Sequence, residues 1–210
     1  MKNNENGRSM VEMLGVLAII GVLSAGGLAG YSKAMFKHKL NTTMDQITML
    51  VTNIRTAYGA QGSYSSLSVA GARKLGAIPA VMGTGDTLTN PFKGSITLSG
   101  SAVAAEGGTA GTAFTVSYAG LPTEACIALA TADFGSGAGS GFIGVVVGTA
   151  AEGTNNDVYI AQGSGRTAIA GANGREASAG RGEGEAYTMA AAITACKATN
   201  DNATITWKFY

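Results

Sequence analysis

The feature that most constrains this chain is an uncharged stretch near its N-terminus, from Met13 to Gly30. As a helix it would be roughly 27 Å long, close to the ~30 Å hydrocarbon thickness of a bilayer. The stretch therefore predicts a membrane-spanning helix. Basic residues stand on both sides of it and do not orient it clearly: Lys2, Arg8, Lys33, Lys37 and Lys39.

Glu12 lies at the start of this apolar segment, after Met10 and Val11. Inserting a carboxylate there costs on the order of 2–3 kcal/mol or more, so a passive anchor would be expected to avoid it. Three interpretations are open at this point. The segment is a secretory signal with small residues at Ser24–Gly26, a plain signal anchor for a periplasmic domain, or a helix whose carboxylate has a partner.

Beyond the apolar segment the chain becomes amphipathic. Apolar residues recur at spacings of three and four, which is the period of one helix face. We predict one helix from about Ser9 to Tyr58, roughly 75 Å long, whose first half protrudes from the globular part. The alternative is two helices separated at Gly26–Gly30, because glycine weakens a helix. The apolar face comprises Leu40, Met44, Ile47, Val51, Ile54 and Tyr58.

The remainder predicts an α+β fold in which short strands and helices alternate with turns rich in glycine. Alternation and β-branched residues predict the first two strands, a short apolar run predicts the third, and the shared face of Ile205, Trp207 and Phe209 predicts the last. Pro122 followed by Thr123 and Glu124 predicts a helix start. The predicted strands are 95–99, 113–118, 142–147 and 204–210. The predicted helices are 69–75, one beginning after Pro122, and 185–198, with a long loop at 153–182.

Composition excludes several classes of function. The net charge is +1 with 13% charged residues, too few and too mixed for a nucleic-acid-binding surface. His38 is the only histidine, so no histidine-based metal site or catalytic triad is expected. The glycine-rich segments at 83–86 and 163–166 lack the spacing of a phosphate-binding loop. We therefore expect no catalytic residue, no metal and no cofactor.

Two cysteines, Cys126 and Cys196, lie far from the apolar segment. In a cytosolic protein such a pair would more often be free buried thiols. In an exported chain it would more often be one disulfide, so the N-terminus decides between the two.

The residues from Gly7 to Leu14 (GRSMVEML) resemble the class III signal of type IV pilins and pseudopilins. The resemblance implies that a prepilin peptidase cuts after Gly7 and methylates the new amino group of Arg8. It also implies that Glu12 is the family's acid, which meets the N-terminus of a neighbouring subunit and neutralises both charges. Arg8 departs from the family pattern, in which the first mature residue is usually apolar.

The same resemblance implies the type IV pilin fold: a long helical spine packed on an antiparallel sheet, short helices, and a C-terminal region closed by a Cys126–Cys196 disulfide. The surroundings of both cysteines and the segment 89–94 look most like type IVb, bundle-forming pilins. The family's helix-loosening glycine corresponds to Gly21, whereas Ala29 occupies the position of its proline. Flexibility of the helix is expected at Gly21, Gly26, Gly27 and Gly30.

We expect a leader at 1–7, a transmembrane and polymerisation helix at 8–31, and a globular domain at 32–210. The function implied is a structural subunit that starts in the inner membrane and polymerises with copies of itself into an extracellular filament. Its implied partners are the prepilin peptidase and methyltransferase, and the pilus assembly platform with its ATPase. The alternatives are a pseudopilin of a type II secretion system and a membrane-anchored periplasmic enzyme or binding protein.

Overall fold

The computed structural model of the protein describes residues 6–102, 109–134, 141–147 and 188–210. By its internal contacts the chain divides into two units, residues 1–41 and residues 42–210. The loop predicted at 153–182 lies outside the described residues.

The first helix, α1, runs from Asn6 to Gly59 and contains 54 residues. One continuous helix is what the sequence predicted, and the alternative of a break at Gly26–Gly30 is wrong. In the first unit the side chains from Met10 to Ala34 are all exposed. The glycines do not interrupt the backbone hydrogen bonding of this helix, although each one lowers its intrinsic stability.

In the second unit, α1 buries the face that its periodicity predicted. Ile47, Ile54 and Tyr58 are fully or almost fully buried. The buried face is wider than the predicted stripe, because Leu50 is also 0% exposed. Two polar residues, Thr43 and Gln46, are buried on the same helix as well. A helix buries a sector about 100° wide rather than one line of residues, which explains the additional positions.

The described residues of the second unit form a five-stranded sheet in which every neighbouring pair is antiparallel. The strand order is β1-β2-β3-β5-β4, so the last strand of the chain lies inside the sheet, between β3 and β4. The strands are β1 (Leu88–Thr89), β2 (Ser95–Ala102), β3 (Ala113–Leu121), β4 (Phe142–Val147) and β5 (Ala203–Phe209).

The described residues of the second unit also form three shorter α-helices. They are α2 (Val69–Lys74), α3 (Thr123–Ala130) and α4 (Met189–Lys197). Helix α4 begins later than the predicted residue 185, because Thr188 has an extended backbone and caps the helix by accepting from the Ala191 N–H. The sequence did not predict the 3-10 turn at Ala80–Met82 or strand β1, both of which are too short to show a period.

One face of the sheet carries an aromatic core. On β5, Ile205, Trp207 and Phe209 point to this face, as their alternation predicted. Phe209 lies opposite Phe114 of β3 and opposite Phe142 of β4, with ring centroids 5.7 Å and 5.3 Å away.

The aromatic core reaches α1 through Tyr64. Its ring centroid lies 4.7 Å from that of Phe114 and 6.4 Å from that of Tyr58, which belongs to α1. Aromatic pairs at these distances contribute about 0.5–1.5 kcal/mol beyond the area they bury. Strands from distant parts of the chain and the second half of α1 therefore share one core.

The opposite face of β5 is also buried, which the alternation did not predict. Thr206 is 1% exposed and Lys208 is 4% exposed. The Thr206 hydroxyl lies 2.7 Å from that of Ser117 on β3, so the hydroxyls form one cross-strand hydrogen bond. This hydrogen bond satisfies polar groups that have lost contact with water.

We expect Leu50→Ala to lower the free energy of unfolding by about 2–5 kcal/mol, because it leaves a cavity under α1. The measurement is urea unfolding of the full chain in mild detergent, followed by fluorescence of Trp207, the single, fully buried tryptophan. The matched control is Met49→Ala at the adjacent, 52% exposed position, with an expected change within about 0.5 kcal/mol. Equal losses in the two variants would contradict this assignment of the core.

Candidate assembly surface

The first unit presents large apolar side chains to the outside along the whole predicted span. Met10 is 71% exposed, Val22 is 74% exposed and Leu28 is 68% exposed. Soluble monomers rarely expose a continuous apolar surface of this size, so it marks a contact with lipid or protein. Within the described residues, one helix is long and apolar enough to cross a membrane, with a mean hydropathy of 2.1 in a window that is not buried.

Glu12 lies at the N-terminal end of this apolar surface and its side chain is exposed. The backbone of Gly7 and Arg8 belongs to the first turns of α1. The predicted processing and assembly residues therefore follow one another on a single helix. Arg8 precedes Glu12 by four residues, about one turn of this helix.

The glycines of the apolar segment of α1 make no close packing contact with the part of the chain that the structure describes. At Gly15, Gly21, Gly26, Gly27 and Gly30, a Cβ atom would meet no other atom within 4 Å. Each glycine costs about 1 kcal/mol against alanine in a helix interior. Small residues spaced four apart, as at Gly26 and Gly30, let two apolar helices approach closely. These positions therefore fit contacts made outside the isolated chain.

The second feature of the site is the predicted disulfide, which the structure confirms. Cys126 of α3 and Cys196 of α4 are bonded, with a Cα–Cα distance of 5.9 Å and a sequence separation of 70. Both cysteines are 0% exposed. Closing a loop of this length stabilises the folded chain by about 4 kcal/mol in the chain-entropy model. The bond holds together the two helices that precede and follow β4.

Asp201 adds a second connection, between the start of α3 and the turn that follows α4, which the sequence did not predict. The N-cap of α3 is Pro122, which has no side-chain acceptor for the helix N–H groups. The Asp201 carboxylate supplies it, accepting from the Thr123 N–H at 3.0 Å. Hydrogen bonds from Thr123 hold the pKa of Asp201 below its usual value. The available signal was a proline at the N-cap, because proline has no side-chain acceptor for the helix N–H groups.

The segment 89–94, singled out by its resemblance, forms a turn organised by Asn90. The Asn90 side chain accepts from the N–H groups of Phe92 and Gly94 at 2.9 Å and 3.0 Å. Its amide nitrogen donates to the Ala119 carbonyl at 2.8 Å. The turn thereby fixes the connection from β1 to β2 against the end of β3.

No cluster of three or more His, Cys, Asp or Glu side chains that could hold a metal ion occurs among residues 6–102, 109–134, 141–147 and 188–210. His38 is exposed on α1, as expected. The segment 83–86 contains two glycines with positive φ, Gly83 and Gly85, and lies after a 3-10 turn rather than between a strand and a helix. It therefore lacks the architecture of a phosphate-binding loop.

We expect Asp201→Asn to lower stability at neutral pH, and the difference from wild type to disappear in acid. The folded-state pKa of Asp201 lies below its unfolded value of 3.8. Its contribution is therefore complete above pH 3.8 and is lost as the pH falls through the folded-state pKa. Asparagine tolerates the positive φ of 57° at this position, so the variant changes charge with little backbone strain.

The measurement is the thermal midpoint of the full chain in detergent across acidic and neutral pH. Asp86→Asn, at an exposed carboxylate in another turn, is the control. A difference between wild type and Asp201→Asn that stays constant with pH would contradict the capping role.

Comparison with known proteins places this geometry in a family. The Bundlin family model matches residues 33–175. The chain is 27% identical over 208 residues to the major structural subunit of bundle-forming pilus from Escherichia coli O127:H6 (strain E2348/69 / EPEC), covering 98% of this chain and 95% of the relative.

Among solved structures, TcpA, a type IV pilin from Vibrio cholerae El Tor biotype, shares the fold. Its TM-score is 0.53 at 13% identity, over 82% of this chain and 99% of that chain. The family match covers more than half of the sequence, and the long helix, antiparallel sheet and disulfide are those of the pilin fold. The chain belongs to the Bundlin family and has the type IV pilin fold.

Proposed function

We propose that this chain is a precursor that is cut after Gly7 and then polymerises through α1 into an extracellular type IV pilus filament. The observation that carries the proposal is the exposed apolar surface of α1 with a carboxylate at its N-terminal end. Pilins are structural subunits, so the chain is not an enzyme. The matched relative is itself a major structural subunit of a pilus.

The proposal places the apolar surface of α1 in two environments, one before assembly and one after it. Before assembly, residues from Met13 to Gly30 span the inner membrane, because their helical length matches the hydrocarbon layer. After assembly, the same side chains pack against the helices of other copies. Both environments remove apolar surface from water, and the helix–helix environment also lets polar groups find partners that lipid does not offer.

Glu12 gives the assembly its direction and register. Cutting after Gly7 creates an α-amino group on Arg8, which is positively charged at neutral pH. Within its own helix this amine lies one turn from Glu12, and in an assembly it meets the Glu12 carboxylate of the next copy. Pairing the two charges offsets the desolvation of both, and a shift along the axis would leave each one buried and unpaired.

The glycines support the same account. Gly21, Gly26, Gly27 and Gly30 lower the stability of the helix without a packing role in the single chain. We propose that they let the helix loosen and let neighbouring helices approach in the filament. The partners of the precursor are the inner membrane, the prepilin peptidase and methyltransferase, and the assembly platform with its ATPase.

A pseudopilin role is not favoured, because the matching family and relative are those of a pilus subunit. A membrane-anchored enzyme or binding protein would retain residues 1–7 and would remain monomeric.

The first prediction concerns processing. Filaments sheared from cells that express the chain should consist of subunits that begin at Arg8, as read by N-terminal sequencing. A variant with Gly7→Val should accumulate in the membrane as the uncut chain and give no filament. A wild-type chain that begins at Met1 and stays monomeric in the membrane would overturn the proposal.

The second prediction concerns Glu12. Glu12→Val should leave membrane insertion intact and lower the yield of sheared filament at least about tenfold, because the neighbour's amine loses its partner. Electron microscopy and immunoblots of membrane and sheared fractions measure both quantities. The control is Asp45→Asn, which removes an exposed carboxylate on the same helix beyond the apolar segment. This variant should assemble normally. Wild-type filament yield from Glu12→Val would remove the register role.

A further inference from the structure

The segment that follows the apolar surface of α1 carries positive charge without negative charge. Tyr31, Lys33 and Lys37 are exposed there, and Tyr31 is 65% exposed. Lys39 lies in the same segment, and the sequence holds no Asp or Glu from Met13 to Met44. We call Tyr31, Lys33, Lys37 and Lys39 the basic collar.

The collar surrounds the helix rather than following one face. At about 100° per residue, Lys33 and Lys37 lie one turn apart on one side, and Tyr31 and Lys39 lie toward the other. The residues one turn from Lys33 and Lys37 include no acid, and the two lysines repel each other. The neighbouring turns of α1 thus provide no negative charge to Lys33 and Lys37, so a negatively charged partner would come from outside the helix.

Helix geometry places the collar at the depth of the lipid headgroups. When Met13–Gly30 fills the hydrocarbon layer, Lys33 lies about 5 Å beyond Gly30 along the axis, and Lys37 about 10 Å beyond it. The headgroup layer of each leaflet is roughly 5–7 Å thick. Lysine side chains can extend along the helix to reach it, and Tyr31 occupies the interfacial level that aromatic residues favour.

The distribution of basic residues on the two sides of the span does not fit a collar that only orients the helix in the membrane. In the orientation that places Gly7 on the cytoplasmic side, Lys2 and Arg8 precede the span, whereas three lysines follow it on the far side. The usual bias places the excess of basic residues on the cytoplasmic side. A charged collar on the far side therefore fits a binding role better than an orienting one.

We propose that the basic collar binds the phosphate groups of anionic phospholipids in the leaflet opposite the leader, and so holds the precursor at a fixed depth before assembly. This inference rests on the membrane-spanning precursor of the proposed function. It adds the lipid class and the residues that recognise it. The interaction is electrostatic, so it weakens as salt screens the charges.

The test uses the full-length precursor in vesicles of phosphatidylcholine with about a quarter phosphatidylglycerol. Electron spin resonance of spin-labelled lipids measures the relative association of the two lipid types with the protein. Wild type should favour phosphatidylglycerol, and the K33Q/K37Q double variant should lose most of this preference, by up to about fivefold for each lysine. About 1 M salt, where the Debye length is ~3 Å, should suppress the wild-type preference.

The matched control is K74Q/K197Q, which removes two exposed lysines of the second unit and should keep the wild-type preference. A double variant K33Q/K37Q that keeps the wild-type preference would overturn the inference. So would a loss of filament with unchanged lipid preference, because it would assign the lysines to a second copy of the chain.

The lipid measurement needs no filament and therefore separates the two proposals. A precursor that favours phosphatidylglycerol through Lys33 and Lys37 but never polymerises would refute the proposed function alone. Filaments of wild-type yield from a chain with no lipid preference would refute the collar alone.

Discussion

The position of β5 is the constraint on which the second unit depends. This last strand of the described chain pairs with β3 on one side and with β4 on the other, so it is an interior strand that joins β4 to the rest of the sheet. Its Trp207 and Phe209 supply much of the aromatic core, and its Thr206 and Lys208 are buried on the opposite face. Because β5 is buried on both faces, removing it from the sheet would lose the side-chain contacts on both faces at once.

Bringing β5 to this place is entropically unfavourable, because its partners are far away in sequence. Ser117 of β3 and Thr206 of β5 are 89 residues apart and still share a hydrogen bond. The disulfide between α3 and α4 shortens the effective loop that must close before β5 can pair. The Asp201 cap acts in the same region, since it ties the turn before β5 to the start of α3. The C-terminal region is thus held by one covalent bond and one charge-assisted hydrogen bond.

The two halves of helix α1 have different surroundings. From Met10 to Ala34 its side chains are exposed and mostly apolar, whereas from Thr43 to Tyr58 it buries one face in the core of the second unit. An apolar helix surface that the chain leaves exposed is favourable only in lipid or against other apolar helices. The core contacts of Ile47, Leu50 and Ile54 are independent of that surface. Substitutions in the apolar segment can therefore change assembly without changing the core.

The sequence predicted the elements whose signals are local. The period of three and four residues predicted the long helix, alternation predicted β2, β3 and β5, and a short apolar run predicted β4. It did not predict the strand order, the burial of Thr206 and Lys208, or the role of Asp201. Each of these depends on which distant segments meet. The predicted stripe omitted Leu50 because periodicity gives the direction of a buried face but not its width.

The sequence by itself determined the long helix, its apolar and uncharged segment, the carboxylate at Glu12 and the family resemblance of Gly7–Leu14. These properties follow from residue type and spacing along one helix, where neighbours in sequence are neighbours in space. Only the tertiary structure decided that β5 lies between β3 and β4 and that Asp201 caps α3. The physical reason is that non-local pairing depends on competing registers and loop-closure entropies, which the folded core resolves together.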